Sequence, residues 1–117
     1  MGCILVVEDD ADVRDVLRET LAEEGYEVVC AENGAEGMAL LRGSRPFLVL
    51  LDLLMPVMNG HEFRARQLAD PRVRDIPVVV LTASTFPAPE GIDATAFLKK
   101  PVDLDLLLET VQRFANQ

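Results

Sequence analysis

The side chains of this chain that could do chemistry stand directly behind hydrophobic runs. The acidic triplet Glu8–Asp10 follows one run, Asp52 and Thr82 each end another, and Lys100 follows a fourth. In open sheets of parallel strands, the carboxyl ends of the strands converge on one crevice, and ligands bind there. If the runs are such strands, the acids, the hydroxyl and the lysine form a single site. The chemistry that suits such a site is the transfer of a phosphoryl group to a carboxylate, assisted by a divalent cation.

Mutual repulsion of the carboxylates supports a metal at that site. Two unit charges about 4 Å apart repel by roughly 4 kcal/mol at an effective dielectric constant of about 20. Either one carboxylate takes up a proton or a cation lies among them, and Mg²⁺ best suits carboxylate and phosphate oxygens.

Each residue also has an ordinary structural explanation. The triplet could cap a helix, Asp52 could be a turn residue, and Thr82 could simply end a strand. Lys100 could be a surface charge. Their joint placement at the ends of separate strands instead favours phosphoryl transfer, with Asp52 as the nucleophile.

Five short segments have the composition of strands in a parallel sheet, being largely apolar and rich in β-branched residues. These predicted strands are Cys3–Val7, Glu27–Ala31, Phe47–Leu51, Val78–Leu81 and Thr95–Lys99. Helical patterns lie between them. Right-handed crossovers then predict an α/β fold, a doubly wound sheet with about five helices on its two faces.

The first two predicted helices are marked by capping and turn residues. Asp10 or Asp12 caps the first helix, and Gly25 stops it. A turn at Asn33–Gly34 precedes a weak second helix at Ala35–Leu41. The apolar residues of the first helix have helical spacing: Val13, Val16, Leu17 and Leu21.

The later helices are predicted with one gap. A third helix covers Gly60–Ala69, and Asp103 caps the last one. Between them, Ser84–Asp93 contains Pro87 and Pro89, which disfavour a helix, so the fourth helix is expected to be short, displaced or missing. The core-facing residues of the last helix are Leu104, Leu107, Leu108, Val111 and Phe114.

Composition narrows the class of protein. The 117 residues, half of them hydrophobic, predict one domain over residues 1–117. A net charge of −9 argues against direct nucleic-acid binding, which needs a basic surface.

Cys3 and Cys30 lie in strand-like runs, so we expect core residues rather than a disulfide or zinc ligands. The first apolar run is too short for a signal peptide or a membrane span, and we expect a cytoplasmic protein with no membrane association.

Four ordered segments resemble the receiver domain of two-component response regulators: LVVEDD, LVLLDLLMPVMNG, VVVLTAS and AFLKKP. The resemblance covers essentially the whole chain. It implies a flavodoxin-like, five-stranded parallel sheet with the strand order 2-1-3-4-5. It also implies a phosphoacceptor signalling domain, which assists its own phosphorylation and dephosphorylation and is not a conventional turnover enzyme.

The same resemblance implies which residues bind the metal and the phosphoryl group. Asp52 corresponds to the phosphoacceptor and is also a metal ligand. Glu8 and Asp9 correspond to the acidic pair that binds Mg²⁺, and the backbone carbonyl of Leu54 corresponds to a third protein ligand. Position 8 more commonly holds Asp in this family, and the longer Glu8 is compatible with holding the ion through a water.

Further correspondences concern catalysis and switching. Thr82 and Lys100 correspond to the family's catalytic hydroxyl and lysine. Lys100 is preferred over Lys99 because it directly precedes Pro101. Phe97 corresponds to an aromatic residue that changes rotamer when Thr82 moves toward the phosphoryl group. This movement implies a two-state switch of a protein-binding face formed by the fourth helix, the fifth strand and the fifth helix.

The implied partners are proteins. A sensor histidine kinase or phosphotransfer protein supplies the phosphoryl group, and a downstream target protein binds the switched face. The expected oligomeric state is a monomer or a weak dimer. His61 is expected to be a solvated helix residue, because a relay histidine needs a four-helix bundle.

Three alternatives belong to other classes of function. A receiver-like interaction module that works without phosphorylation is the main one, because Thr82 to Lys100 is about one helical turn shorter than usual. A haloacid-dehalogenase-type hydrolase fits less well, because Asp52–Leu54 lacks the Asp-x-Asp motif. A flavodoxin fits least, because Glu8–Asp10 stands where a phosphate-binding loop would have to be.

Overall fold

Strands and helices alternate along the chain as far as the fourth strand in the computed structural model. The structure describes residues 2–52, 60–82, 95–99 and 102–115, and only the backbone of Gly60 and Thr82. The strands are β1 (Cys3–Val7), β2 (Glu27–Ala31), β3 (Leu48–Asp52), β4 (Val78–Thr82) and β5 (Ala96–Lys99). The helices are α1 (Ala11–Glu23), α2 (Gly34–Ser44), α3 (Gly60–Leu68) and α4 (Leu104–Ala115).

The five strands form one parallel sheet in the order β2-β1-β3-β4-β5, which confirms the predicted topology. The chain first moves from β1 to β2 and then returns to the other side of β1 to form β3. The point where the direction reverses lies between β1 and β3, and it is at such a point that open α/β sheets bind ligands. Every residue of these two strands is buried, which explains their continuous apolar sequences.

Helices cover both faces of the sheet, as predicted for a doubly wound fold. On one face, α1 and α4 pack through Leu17, Leu21, Leu107 and Val111. On the other face, α2 and α3 pack through Met38, Leu41 and Phe63. Alternate strand residues supply the two cores, so Ile4 and Val6 face one layer while Leu5 and Val7 face the other.

The bounds of α2 correct the sequence prediction. Asn33 does not form a free turn, because its side chain accepts a hydrogen bond from the backbone N–H of Glu36 (2.9 Å) and caps a helix that begins at Gly34. The helix continues through Gly43 to Ser44 and ends at Arg45, which has a left-handed φ of 46°. The predicted span of Ala35–Leu41 was therefore too short at both ends.

Two apolar residues of the predicted helical patterns are exposed, and one of them, Leu104, was predicted to face the core. Val16 is 48% exposed, because Leu17 and Leu21 carry the buried stripe of α1. Leu104 is 37% exposed, because it begins α4 before the turn that packs on the sheet. The sequence predicts about five helices. The described residues contain four helices, and the predicted fourth, at Ser84–Asp93, lies outside them.

Both cysteines are free, which agrees with the prediction of no disulfide. Cys3 is buried and Cys30 is half-buried, on neighbouring strands. Burial raises the pKa of both thiols above the usual range, so neither has the properties of a reactive thiolate.

An ion-pair cluster ties α2 to the turn that precedes β4, at the amino-terminal edge of the sheet. Asp70 accepts hydrogen bonds from Nε of Arg42 (3.0 Å) and from the side chain of Arg72 (3.1 Å). Its carboxylate also accepts from the backbone N–H of Arg72 at 3.0 Å. The contacts with Arg72 and then Arg42 hold the pKa of Asp70 well below its ordinary value.

Candidate functional site

The carboxyl ends of three adjacent strands bring the predicted acids and hydroxyl residue to one edge of the sheet. Val7 of β1 lies beside Leu51 of β3, so Glu8 and Asp52 are the next residues on neighbouring strands. Thr82 is the last residue of β4, on the other side of β3. Parallel register, rather than nearness in the sequence, therefore assembles the site.

Glu8, Asp9 and Asp52 form a compact carboxylate cluster. One oxygen from each of them lies within 4.8 Å of the other two. Glu8 and Asp52 are buried and Asp9 is exposed, so the cluster has a closed inner side and an open outer side. Anionic oxygens gathered in this way are the ligand set of a hard divalent cation, and Mg²⁺ typically fills its other positions with waters and phosphate oxygens.

Asp10, the third acid of the triplet, has a different role. Its carboxylate accepts hydrogen bonds from the backbone N–H groups of Asp12 (2.9 Å) and Val13 (3.3 Å) and caps α1. Of the two predicted caps, Asp10 is therefore the one used. The capping explanation holds for this residue alone, since Glu8 and Asp9 lie with Asp52.

Arg14, which the sequence pattern did not single out, holds the loop that carries the acidic pair. One terminal nitrogen of its guanidinium donates to the backbone carbonyls of Glu8 (2.8 Å) and Asp9 (3.1 Å). Its backbone N–H donates to the carbonyl of Asp10 (3.0 Å). A signal was present, because a cation near a helix amino terminus opposes the helix dipole and calls for another explanation.

The remaining predicted residues are described to different extents. The side chains of Thr82 and Lys100 and the carbonyl of Leu54 lie outside the described part of the structure. Phe97 is half-buried on β5, beside Val80, and packs against the core under α2 and α3.

Lys99 and His61 are both exposed. Lys99 ends β5 beside Thr82 in the strand register. His61 lies in the first turn of α3, as expected of a solvated helix residue.

Comparison with known families agrees with this architecture. The family model of the response regulator receiver domain matches residues 4–112. The chain belongs to the response regulator receiver family. Receiver domains are signalling domains of two-component systems, and this one has the family's five-stranded parallel sheet.

Individual relatives share the receiver domain over different parts of their lengths. The response regulator MprA of Mycobacterium sp. (strain KMS) is 43% identical over 109 residues, which are 90% of this chain and 46% of MprA. The chain thus spans less than half the length of that relative. Protein PilH of Pseudomonas aeruginosa is 34% identical over 95% of both chains.

A solved structure gives the same result for the fold. Chemotaxis response regulator CheY4 of Vibrio cholerae superposes with a TM-score of 0.90 and 33% identity, over 97% of this chain and 98% of CheY4.

Among the helices of the described residues, none has the length and apolar character needed to cross a membrane.

Proposed function

We propose that this receiver domain accepts a phosphoryl group on Asp52, with Mg²⁺ bound by Glu8, Asp9 and Asp52. The observation that carries the proposal is the carboxylate cluster itself, whose oxygens lie within 4.8 Å of one another. Such a cluster brings a nucleophilic carboxylate next to the charges that hold the metal. The backbone carbonyl of Leu54 is proposed as a further protein ligand.

The reaction is a displacement at phosphorus. A carboxylate oxygen of Asp52 forms a bond to the phosphorus atom of a phosphohistidine, and the phosphorus–nitrogen bond breaks. The electron pair stays on the imidazole nitrogen of the donor, which takes up a proton. When bound, Mg²⁺ supplies charge neutralisation for the phosphoryl oxygens.

Thr82 and Lys100 complete the proposed site on the side of β4 and β5. Lys100 directly follows the last residue of β5, and its ammonium would bind one phosphoryl oxygen. Thr82 ends β4, and its hydroxyl would donate a hydrogen bond to another. These two residues serve transfer in both directions, which is how a signalling domain assists its own chemistry without being a conventional turnover enzyme.

The proposed output is a change at the face that contains β5. Phe97 lies on this edge strand, half-buried, and packs against the core below α2 and α3, and its proposed role is to change rotamer. Movement of Thr82 toward a phosphoryl group would open the space for that change. The proposed partners are a sensor histidine kinase or phosphotransfer protein and a downstream target protein that reads the new surface.

The proposal is tested by treating the protein with acetyl phosphate and MgCl₂ and measuring its mass. The wild type is expected to gain one phosphoryl group, and Asp52→Asn none. Asp12→Asn is the control, because Asp12 is exposed in the first turn of α1 and lies outside the carboxylate cluster. A folded wild-type protein that stays unmodified would contradict the proposal and favour the alternative, an interaction module that works without phosphorylation.

A further inference from the structure

The side chain of Arg14 joins the start of α1 to two successive carbonyl groups of the preceding loop, and its backbone N–H makes the ordinary first hydrogen bond of the helix. The guanidinium binds the carbonyls of Glu8 and Asp9, and the backbone N–H binds that of Asp10. The side chain is only 19% exposed, and its contact with Glu32 is long, at 4.0 Å to a carboxylate that is 64% exposed. The carbonyls, rather than Glu32, are therefore its principal partners.

Glu8 and Asp9 thus offer two kinds of oxygen to two different partners. Their carboxylates lie with Asp52, while their backbone carbonyls contact Arg14. Without the guanidinium, the carbonyls of Glu8 and Asp9 would lose their cationic partner, in residues whose carboxylates are gathered with Asp52. The loop that carries the acidic pair would also lose its contacts with the Arg14 side chain of α1.

We propose that Arg14 is a positioning residue for the metal site, one that fixes the loop and thereby the distance of Glu8 and Asp9 from Asp52. This inference rests on the proposed function, because it assumes that Mg²⁺ binds the cluster. Groups that orient the ligands of a metal contribute to its affinity without touching it.

Electrostatics and positioning predict opposite effects when Arg14 is neutralised. A guanidinium near a cation site repels the cation, so the loss of its charge alone would tighten Mg²⁺ binding. The loss of loop geometry would weaken it. The direction of the change in affinity therefore separates the two roles.

The experiment is a calorimetric titration of the full chain with MgCl₂ at constant ionic strength. We expect Arg14→Gln to raise the Kd for Mg²⁺ by roughly 10-fold, as for other groups that orient metal ligands. Arg14→Lys should give a smaller increase, since it keeps the charge but loses the planar fork. The matched control is Arg18→Gln, which removes the same charge one turn further along α1, where Arg18 pairs with Asp15 on the surface.

An unchanged or lower Kd in Arg14→Gln, with wild-type binding intact, would overturn the inference and leave the proposed function standing. A wild type that does not bind Mg²⁺ would instead contradict the proposed function. In that case ¹⁵N relaxation of the metal-free proteins decides only whether Arg14 fixes the loop. Increased motion at Glu8 and Asp9 in Arg14→Gln, and not in Arg18→Gln, supports it, and equal motion overturns it.

Discussion

Asp9 differs from the other two members of the carboxylate cluster because it is exposed. An exposed carboxylate can adjust its position at little cost, and it meets solvent on the side from which a metal would arrive. Glu8 and Asp52 are buried and already have partners within the protein. Asp9 is therefore the residue at which the charge of the cluster can be changed with the least disturbance of the core.

Neutralising Asp9 should have effects of opposite sign with and without magnesium. We expect Asp9→Asn to raise the Tm of the metal-free protein, because one source of repulsion is removed. It should also abolish most of the increase in Tm that MgCl₂ gives the wild type, because a ligand that binds only the folded state stabilises in proportion to its affinity. Thermal unfolding followed by circular dichroism, at constant ionic strength, measures both quantities.

Asp12→Asn again serves as the control for the change in charge, and it should keep the full response to magnesium. A lower metal-free Tm in Asp9→Asn, or an intact response to MgCl₂, would contradict the assignment of Asp9 to the metal site.

At the residue scale, the order of the motifs was enough to predict that Glu8, Asp9 and Asp52 lie together at one edge of the sheet. Parallel strands must end at one edge, so a residue directly behind a buried run is placed there whatever the details of packing. Arg14 could not be predicted in the same way. Its role depends on which carbonyls the loop leaves near the first turn of α1, and that is a property of the folded backbone.

At the scale of elements, the contact between α2 and its neighbours depends on the absence of a side chain at Gly37. A Cβ atom at this position would lie 3.0 Å from Phe63 of α3 and 3.0 Å from Val7 of β1. Because Val7 directly precedes Glu8, the fit of α2 against the sheet also supports the strand end from which the acidic pair emerges.

Two glycines of the same helix provide a matched test. Gly37→Ala should lower the free energy of unfolding by about 1–3 kcal/mol, because overpacking outweighs the gain in helix propensity. Gly43→Ala should raise it by up to about 1 kcal/mol, because no atom of the described residues beyond the adjacent helix backbone lies within 4 Å of a Cβ at that position. Denaturant unfolding measures both, and equal changes in the two variants would contradict the packing argument.

The helices were harder to predict from the sequence than the strands. β1 and β2 have the predicted bounds, and the other three strands differ by one residue at one or both ends, because short apolar runs mark the strands in the sequence. The interior glycine of α2 suggested a weak helix, since glycine has low propensity. The folded structure shows why glycine is needed at position 37, because α2 packs closely against α3 and β1 there. Such tertiary contacts cannot be inferred from local composition.

For the whole molecule, which has 20 acidic side chains, stability at low pH depends on the carboxylates that are ion-paired in the folded state. Asp70 is the clearest case, because its carboxylate is shared between Arg42 and Arg72 and connects two parts of the fold. Its lowered pKa means that the folded state favours the charged form. The resulting stabilisation is fully present above the ordinary value of 3.8 and is lost as the pH falls toward the lowered one.

We therefore expect Asp70→Asn to lower the Tm near neutral pH and the difference from the wild type to shrink as the pH falls below 3.8. Thermal unfolding across this range measures the difference. Asp75→Asn is the control, because Asp75 is a nearby exposed carboxylate. A difference between Asp70→Asn and wild type that does not depend on pH would contradict the role assigned to its ionisation.

The position of the carboxylate cluster on β1 and β3 has a consequence for how the site is lost. Both strands lie inside the sheet, with every residue buried, so their amides should be among the slowest in the protein to undergo hydrogen exchange. When a helix end frays or an outer strand opens, β1 and β3 stay paired, and Glu8 and Asp52 keep their positions at the ends of these strands. Their spacing should therefore persist through partial opening and disappear only with cooperative melting of the domain.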